Sequence, residues 1–552
     1  MFCYQCEEAA KGTGCEVKGV CGKDAETAAL QDLLIHAVKG VAMYGHRAGL
    51  LGRRDAEIDR FIVKALFKTV TNVDFDAESF VAMVRRAAEL RDRAKVLYEE
   101  ACRLEGVKAE ELSGPAAWRP AADRGSLVEQ GIEVSVAVEK MRIGADLAGL
   151  KELLLYGLKG TAAYACHAAN LGREDDGVYG RFHEALDFLT REKVSMEELL
   201  ERNLAVGELN LKVMELLDGA NTGAYGDPSP TRVRVTPVKG KALLVSGHDL
   251  RDLEDILKQT EGKGINVYTH VEMLPAHGYE GLRKYGHLAG NYGGSWHEQR
   301  RDFEAFPGAI VMTTNCLQPP RESYKARLFT TGPVAWPGVE HIEGRDFTPA
   351  IEAALAAPGF AEDGAEEYIT VGFGHRAVLS EADRIVEAVK SGAIRRFFLI
   401  GGCDGQKSGR NYYTEFAENV PDDCVILTLA CGKFRFNRLD FGEIDGIPRL
   451  LDMGQCNDAY SAIKVASALA EAFGCDVNQL PLSLVISWYE QKAVAVLLTL
   501  LHLGIRNIKI GPSLPAFLTP KVVEVLVERF NISAIDEARK DLDTILADRV
   551  YA

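Results

Sequence analysis

Apolar residues recur at helical spacing from Leu33 to Leu51 and from Phe80 to Leu104, separated by Arg, Glu and Lys, so each stretch predicts an amphipathic helix. The same texture holds from residue 24 to about 218, where Pro and Gly are scarce. The first strong break is GANTGAYGDPSP (219–230), which reads as a linker. After residue 235 the period changes. Short β-rich runs alternate with helical segments: ALLVSG, INVYTH, AIVMTTN, FFLIGG, VILTLA, RLLDMG, LVISWY and IKIGP. That is the pattern of parallel sheets in α/β domains. The stretch 357–367, rich in Gly and acid, is a candidate boundary between two such domains. The expected organisation is a helical domain over 1–225, then α/β domains over 226–365 and 366–552.

The helical part repeats itself at an offset of 120. LLIHAVKGVAMYGHRAGLLGRRD (33–55) aligns with LLLYGLKGTAAYACHAANLGRED (153–175). Lys39/Lys159, Gly40/Gly160, Tyr44/Tyr164, Gly52/Gly172, Arg53/Arg173 and Asp55/Asp175 are identical pairs. Amphipathicity does not demand the shared Lys-Gly and Leu-Gly-Arg positions, and the period is too long for a solenoid. Two copies of one small helical bundle are expected.

Composition narrows the classes. The 552 residues are 47% hydrophobic and 26% charged, the balance of a soluble globular protein rather than a fibrous or disordered one. Lys+Arg 64 against Asp+Glu 80 gives a net charge of -16, which argues against a nucleic-acid partner because phosphate binding needs a basic surface. The longest apolar stretch, Ala493 to Ile505, is short for a bilayer span and contains His502, so no membrane insertion is expected. The opening MFCYQCEE carries acid where a secretory leader carries Lys or Arg, which predicts a cytoplasmic chain. Twelve cysteines in that compartment point to metal or redox chemistry rather than disulfides.

Cys3, Cys6, Cys15 and Cys21 are spaced C-x2-C-x8-C-x5-C. Tetrahedral zinc and an iron–sulfur cluster are the two chemical readings. Gly12, Gly14, Gly19 and Gly22 let backbone wrap close to sulfur, which favours the cluster. A second set obeys one positional rule: Cys316, Cys403, Cys431 and Cys456 each lie just past the C-terminal end of an apolar run. His248 follows another such run, Glu272 lies in the loop after VYTH, and Glu490 follows LVISWY at a helix start. In open α/β sheets that edge is where ligands bind. Taken singly, such a Cys is usually a small buried hydrophobe, such a His a hydrogen-bonded structural residue, and such a Glu a helix cap. Four cysteines following one rule shift that balance; Cys102, Cys166, Cys424 and Cys475 do not follow it and read as structural. Thiolates suit iron with sulfide, whereas imidazole and carboxylate suit harder iron carrying oxygen, and seven donors exceed what zinc can use. Two lookalikes are weaker. VGFGHRA (371–377) faintly matches a dinucleotide loop, and GGCDGQKS (401–408) matches a phosphate loop except that Gln406 stands where Gly is required.

MFCYQCEEAAKGTGCEVKGVCGK, SGHDL, VYTHVEMLPA, NYGGSW, TTNC, GGCDG, LACGKFRFN, DMGQCND and SWYEQKAVAV together resemble the hybrid cluster proteins, also called prismane proteins or hydroxylamine reductases. The resemblance covers essentially the whole chain. It implies an N-terminal helical domain of two three-helix bundles followed by two Rossmann-like α/β domains. It implies a [4Fe-4S] cubane on Cys3, Cys6, Cys15 and Cys21. It also implies a hybrid [4Fe-2O-2S] cluster on His248, Glu272, Cys316, Cys403, Cys431, Cys456 and Glu490, with Cys403 matching a persulfide position and Lys492 lying near the cluster oxygens. Glu490, Lys492, Cys403 and His248 are then the catalytic candidates. The implied reactions are reduction of hydroxylamine to ammonia and water, or of nitric oxide to nitrous oxide, in defence against nitrosative stress. A ferredoxin-like or NADH-linked iron–sulfur protein is the implied donor. Two rivals stand beside this: a carbon monoxide dehydrogenase-like activity, which needs nickel, and a nitric oxide sensor or S-nitrosylation relay through Cys403.

Overall fold

A computed structural model of the chain describes residues 1–547. A short cysteine-bearing loop leads into eight helices: α1 (Ala25–Leu50), α2 (Ala56–Lys68), α3 (Ala77–Glu105), α4 (Arg124–Glu133), α5 (Val136–Ile143), α6 (Ala145–Asn170), α7 (Asp176–Leu189) and α8 (Met196–Tyr225). α8 runs through Gly219 to Tyr225, so the predicted linker begins only at Gly226, where φ is +83°. The small residues of 219–225 weaken a helix but do not break it, and packing of Ala220, Asn221 and Tyr225 carries it on.

The identical pairs of the repeat have identifiable causes. Asp55 caps α2 by accepting from the amides of Glu57 and Ile58, and Asp175 caps α7 by accepting from Val178. Gly52 and Gly172, at φ +71° and +75°, turn the chain out of α1 and α6 in the left-handed region, and the amides of Arg53 and Arg173 then return to the carbonyls of Ala48 and Ala168. Gly40 and Gly160 are close-approach points: a Cβ would lie 2.3 Å from the carbonyl oxygen of Pro115 in the first case and of Gln491 in the second. The two copies interlock. The second helix of each lies mainly against the first helix of the other, α2 on α6 and α7 on α1, and Asp59 of α2 meets His183 of α7 at 2.7 Å. Asp32/Glu152, His36/Tyr156 and Lys39/Lys159, each an equivalent pair, line one polar cavity between the copies.

The remainder holds two parallel six-stranded sheets. The first has order β4-β3-β2-β5-β6-β7, with β2 Lys241–Ser246, β3 Ile265–His270, β4 Leu288–Asn291, β5 Ala309–Met312, β6 Leu328–Thr331 and β7 Glu340–Ile342. The second has order β13-β10-β9-β14-β15-β16, with β9 Arg396–Gly402, β10 Cys424–Thr428, β13 Leu450–Asp452, β14 Leu482–Ser487, β15 Ile508–Gly511 and β16 Ser533–Ala534. β1 (Thr231–Arg234) and β8 (Tyr368–Val371) pair antiparallel, and β11 (Glu443–Ile444) and β12 (Ile447–Pro448) form a small hairpin. The central strands are apolar and buried on both faces, as helix-covered parallel strands must be. β8 therefore belongs to a ribbon, not a parallel sheet, and Gly372 after it is required because a Cβ would sit 2.1 Å from the Ser229 carbonyl oxygen. Likewise a Cβ at Gly402 would lie 2.0 Å from the Ser487 carbonyl oxygen, and one at Gly405 would lie 2.6 Å from the Arg410 guanidinium. The glycines of both lookalike loops thus serve packing of the chain on itself. Among the described residues no helix is long and apolar enough to cross a membrane.

These contacts give opposite expectations for two glycines. Gly160→Ala overpacks the α6 contact and should destabilise by about 1–3 kcal/mol. Gly219→Ala, inside α8 with no atom within 4 Å of the added Cβ, should stabilise by about 0.5–1 kcal/mol. Denaturation midpoints of the two variants should move in opposite directions.

Candidate metal centre

His248, Glu272 and Cys316 follow β2, β3 and β5 of the first sheet; Cys403, Cys431, Cys456 and Glu490 follow β9, β10, β13 and β14 of the second. All seven side chains line one cavity, so the carboxyl edges of the two sheets face each other across it. One donor atom from each of His248, Glu272 and Cys456 lies within 4.8 Å of the others. The Glu272 Oε2 is 3.5 Å from His248 Nε2 and accepts from the Cys456 amide at 3.0 Å. Val271 and Ala430, the residues before Glu272 and Cys431, sit at φ +49° and +64°. Left-handed backbone at a β-branched residue is strained, and here it turns a donor off its strand and into the cavity.

Lys492 and Asn315 tie the two halves together. Lys492 Nζ lies 2.9 Å from His248 Nε2, donates to Asn315 Oδ1 at 2.8 Å and is 3.5 Å from Glu490 Oε1. Asn315 Nδ2 donates to Glu490 Oε1 at 3.3 Å and to the Cys316 sulfur at 3.2 Å. Glu490 also caps its helix by accepting from the Lys492 amide at 2.8 Å. With Lys492 at Nε2, the Nδ1 proton of His248 points to Thr314 Oγ1 at 2.8 Å. Gln455 Nε2 pins the loops by donating to the carbonyls of His248 and Glu272.

Burial dominates the electrostatics. It pushes the Cys403 thiol up to about 12, and the thiols of Cys316, Cys431 and Cys456 well above their ordinary value. It raises the Glu272 carboxyl, against the pull of Lys433 and Lys492, and holds the His248 imidazole far below its ordinary range, helped by the Lys492 ammonium. Burial opposes the charge on Lys492, yet Cys456 and Glu490 hold it above the usual lysine value. A site of this composition favours proton release only when a cation arrives. Glu272 Oε1 is buried with no hydrogen-bond partner, an acceptor left for such a cation. Four thiols, one imidazole and two carboxylates fit a metal–sulfur centre with a harder, oxygen-accepting side.

At the N-terminus, Cys3 and Cys15 exchange backbone hydrogen bonds of 3.0 and 2.8 Å, and the Ala10 amide donates to the Cys15 sulfur at 3.4 Å. Burial, then Cys21, Cys3, Glu8 and Cys15, push the Cys6 thiol well up, so the other three cysteines lie within electrostatic reach of it. Gly22, at φ +98°, tucks the loop against Pro319.

A profile of the Prismane/CO dehydrogenase family matches residues 1–543. The chain belongs to the prismane/CO dehydrogenase family. It is 58% identical to the hydroxylamine reductase of Burkholderia lata over 551 residues, 99% of each chain. It is 56% identical to that of Geobacter sulfurreducens over 549 residues, again 99% of each. Carbon monoxide dehydrogenase IV from Carboxydothermus hydrogenoformans shares the fold, with a TM-score of 0.55 at 16% identity over 98% of this chain and 92% of that one. A nickel-free carbon monoxide dehydrogenase from Thermococcus sp. AM4 does so at 0.55 and 18%, over 98% and 90%.

The sequence pattern assigns no role to several residues around this prismane-family cavity. Thr314 and Asn315 stood inside the quoted TTNC motif and Tyr489 inside SWYEQK, so a signal existed. Tyr489 lies between the two cysteine sites. Its carbonyl accepts from the Glu7 amide, its ring is 5.0 Å from Trp296, and Glu8, Cys6, Cys21 and Cys316 lie within electrostatic reach of its buried hydroxyl. Arg410 makes a second link, donating to the Cys403 carbonyl at 3.0 Å and to Glu7 at 3.1 Å. His167 of α6 stacks on His248 at 6.3 Å, which no motif announced.

Thr314→Val removes the partner that orients His248 and should weaken metal binding in the cavity by about 10–100-fold. Iron released to a competing chelator measures this, with the N-terminal site as internal control.

Proposed function

We propose that the chain is an iron–sulfur oxidoreductase that reduces hydroxylamine to ammonia and water in the cavity between the two sheets. The observation that carries the reading is the convergence of seven soft and hard donors on one buried cavity. Full-length identity of 58% to a hydroxylamine reductase supports the substrate class. His248, Glu272, Cys316, Cys403, Cys431, Cys456 and Glu490 would hold the hybrid [4Fe-2O-2S] cluster, and Cys3, Cys6, Cys15 and Cys21 the [4Fe-4S] cubane. The bound clusters supply electrons and Lewis acidity.

The reaction takes two electrons and two protons, breaks the N–O bond and releases ammonia and water. The chain's own part is to orient and to move protons. Lys492 Nζ, beside His248, Glu490 and Asn315, holds a proton at the cavity wall and can donate it to a leaving oxygen. Trp296 and Gln299 donate to the Cys316 carbonyl at 2.8 and 2.9 Å and close the cavity beside it, limiting entry to small substrates. A ferredoxin-like or NADH-linked iron–sulfur protein would deliver electrons at the N-terminal cysteines, with Tyr489 between the two sites. A cytoplasmic setting and a part in nitrosative-stress defence accord with this reading.

Nitric oxide is the second substrate proposed, two molecules giving nitrous oxide and water with two electrons and two protons. One observation favours it: Cys403 and Cys456 also line an apolar cavity with Leu153, Leu497 and Phe517, into which a neutral diatomic partitions readily. The same contact serves a sensor or S-nitrosylation relay through Cys403.

Protein purified without oxygen should contain iron for two four-iron clusters, less sulfide than iron and no nickel. Iron for the N-terminal site alone would overturn the reading. With a reduced donor, steady consumption of hydroxylamine or nitric oxide is expected; S-nitrosylation without turnover would favour the relay. Lys492→Met should lower turnover roughly 10²-fold or more with iron content unchanged.

A further inference from the structure

The two most exposed large apolar side chains among the described residues lie on and beside the N-terminal cysteine loop: Val17 is 85% exposed and Met141 79%. Val17 and the exposed Val20 sit between Cys15 and Cys21, where the loop runs so near the Cys21 sulfur that a Cβ at Gly19 would be 2.9 Å from it. Met141 belongs to α5, a helix that buries none of its residues. α5 borders the loop. Its Lys140 Nζ lies 5.6 Å over the Phe2 ring, and that ring fills the space beside Gly14, where a Cβ would be 2.7 Å from it. Of the four cysteines, Cys3 and Cys21 are partly exposed, whereas Cys6 and Cys15 are buried. The exposed apolar groups thus share a loop and its neighbouring helix with the two sulfurs open to solvent.

Charge here runs against the rest of the chain. The net charge is -16, yet Lys11, Lys18 and Lys140 are exposed and form no ion pair among the described residues. Glu16 is the one exposed acid of the loop, because Glu7 and Glu8 are buried and held by Arg410 and the Gln406 amide. On α5, Glu139 pairs with Lys151 and Arg142 with Glu192. Exposed apolar groups with a charged rim make a small, transient docking surface of the kind electron-transfer partners use. An acidic partner, repelled by the chain's overall charge, is drawn to this patch and oriented by it. We propose that residues 11–20 and α5 form the docking surface for a small acidic iron–sulfur protein, with Lys11, Lys18 and Lys140 meeting its carboxylates and Val17, Val20 and Met141 at the centre of the contact. This rests on the reading of the N-terminal cysteines as the site of electron entry.

The test uses the full-length protein prepared without oxygen and two reductants: a reduced plant-type ferredoxin as the acidic probe, and reduced methyl viologen, a small cation. Reduction of the N-terminal centre is followed by stopped-flow absorbance, separately from hydroxylamine consumption. The wild-type rate with ferredoxin should fall as salt is raised. Lys11→Glu combined with Lys18→Glu should lower that rate roughly 10-fold or more and flatten its salt dependence. Val17→Asp and Met141→Asp should each lower it severalfold. Leu50, 72% exposed at the last residue of α1, is the control, and Leu50→Asp should leave the rate unchanged. In every variant iron and sulfide per chain should match the wild type, and the rate with methyl viologen should not fall. Should a loop variant lose iron, Lys140→Glu, which lies outside the cysteine loop, decides in its place. Ferredoxin rates within about twofold of wild type in the charge and apolar variants, or a wild-type rate that rises with salt, would overturn the proposal. So would a wild-type dimer that Val17→Asp dissociates in light scattering, which would assign the surface to a second copy of this chain. Salt-sensitive reduction of the N-terminal centre without hydroxylamine consumption would instead remove the functional reading and leave the docking surface standing.

Discussion

Four thiols, two carboxylates and an imidazole drawn out of water into one cavity cannot all give up their protons unless positive charge enters with them. Within the chain, two buried ammonium groups meet part of that demand. Lys492 stands among His248, Glu490 and Asn315, and Lys433 is fully buried against Asp452 while drawing on Glu272. The rest falls to whatever the donors bind. The surrounding architecture serves this constraint. Two parallel sheets turn their carboxyl edges toward each other, so no donor travels far from a rigid strand. Strained backbone at Val271 and Ala430 spends conformational stability on aim rather than on regular structure.

Much of the site was legible in the sequence because strand ends are legible. An apolar run that stops at Cys403 or Cys316 announces both the strand and the side chain beyond it, and the family motifs named the same positions. The eight apolar runs all formed strands. What escaped was of two kinds. Short strands such as β4 (LAGN) and β16 (SA) lack an apolar run and form because a neighbouring edge offers partners. A residue such as His167 meets the cavity's His248 from a helix far away in sequence, through packing that no local pattern encodes. The supposed linker at 219–230 failed for a related reason: glycine weakens a helix by about a kilocalorie per mole, and tertiary contacts at Ala220 and Tyr225 outweigh that.

The repeat shows how duplication and divergence share one frame. Capping aspartates, left-handed glycines and close-approach glycines are common to both copies because backbone geometry requires them in each. The interlocking of α2 with α6 and α7 with α1 makes each copy part of the other's core. Outside those shared needs the copies differ: α6 packs on the helix that starts at Gln491, whereas α2 sends Phe67 into the core of the first sheet.

The N-terminal cysteine loop is closed by partners made hundreds of residues later. Glu7 is held by Arg410 and Ser513, Glu8 by the Gln406 amide, the Gln5 carbonyl by Gln491, and Gly22 by Pro319. A ribosome exposes those first residues long before their clamps exist. The loop is therefore among the last parts to set, and during synthesis its four thiols stay open to solvent and oxidants until the C-terminal domain docks.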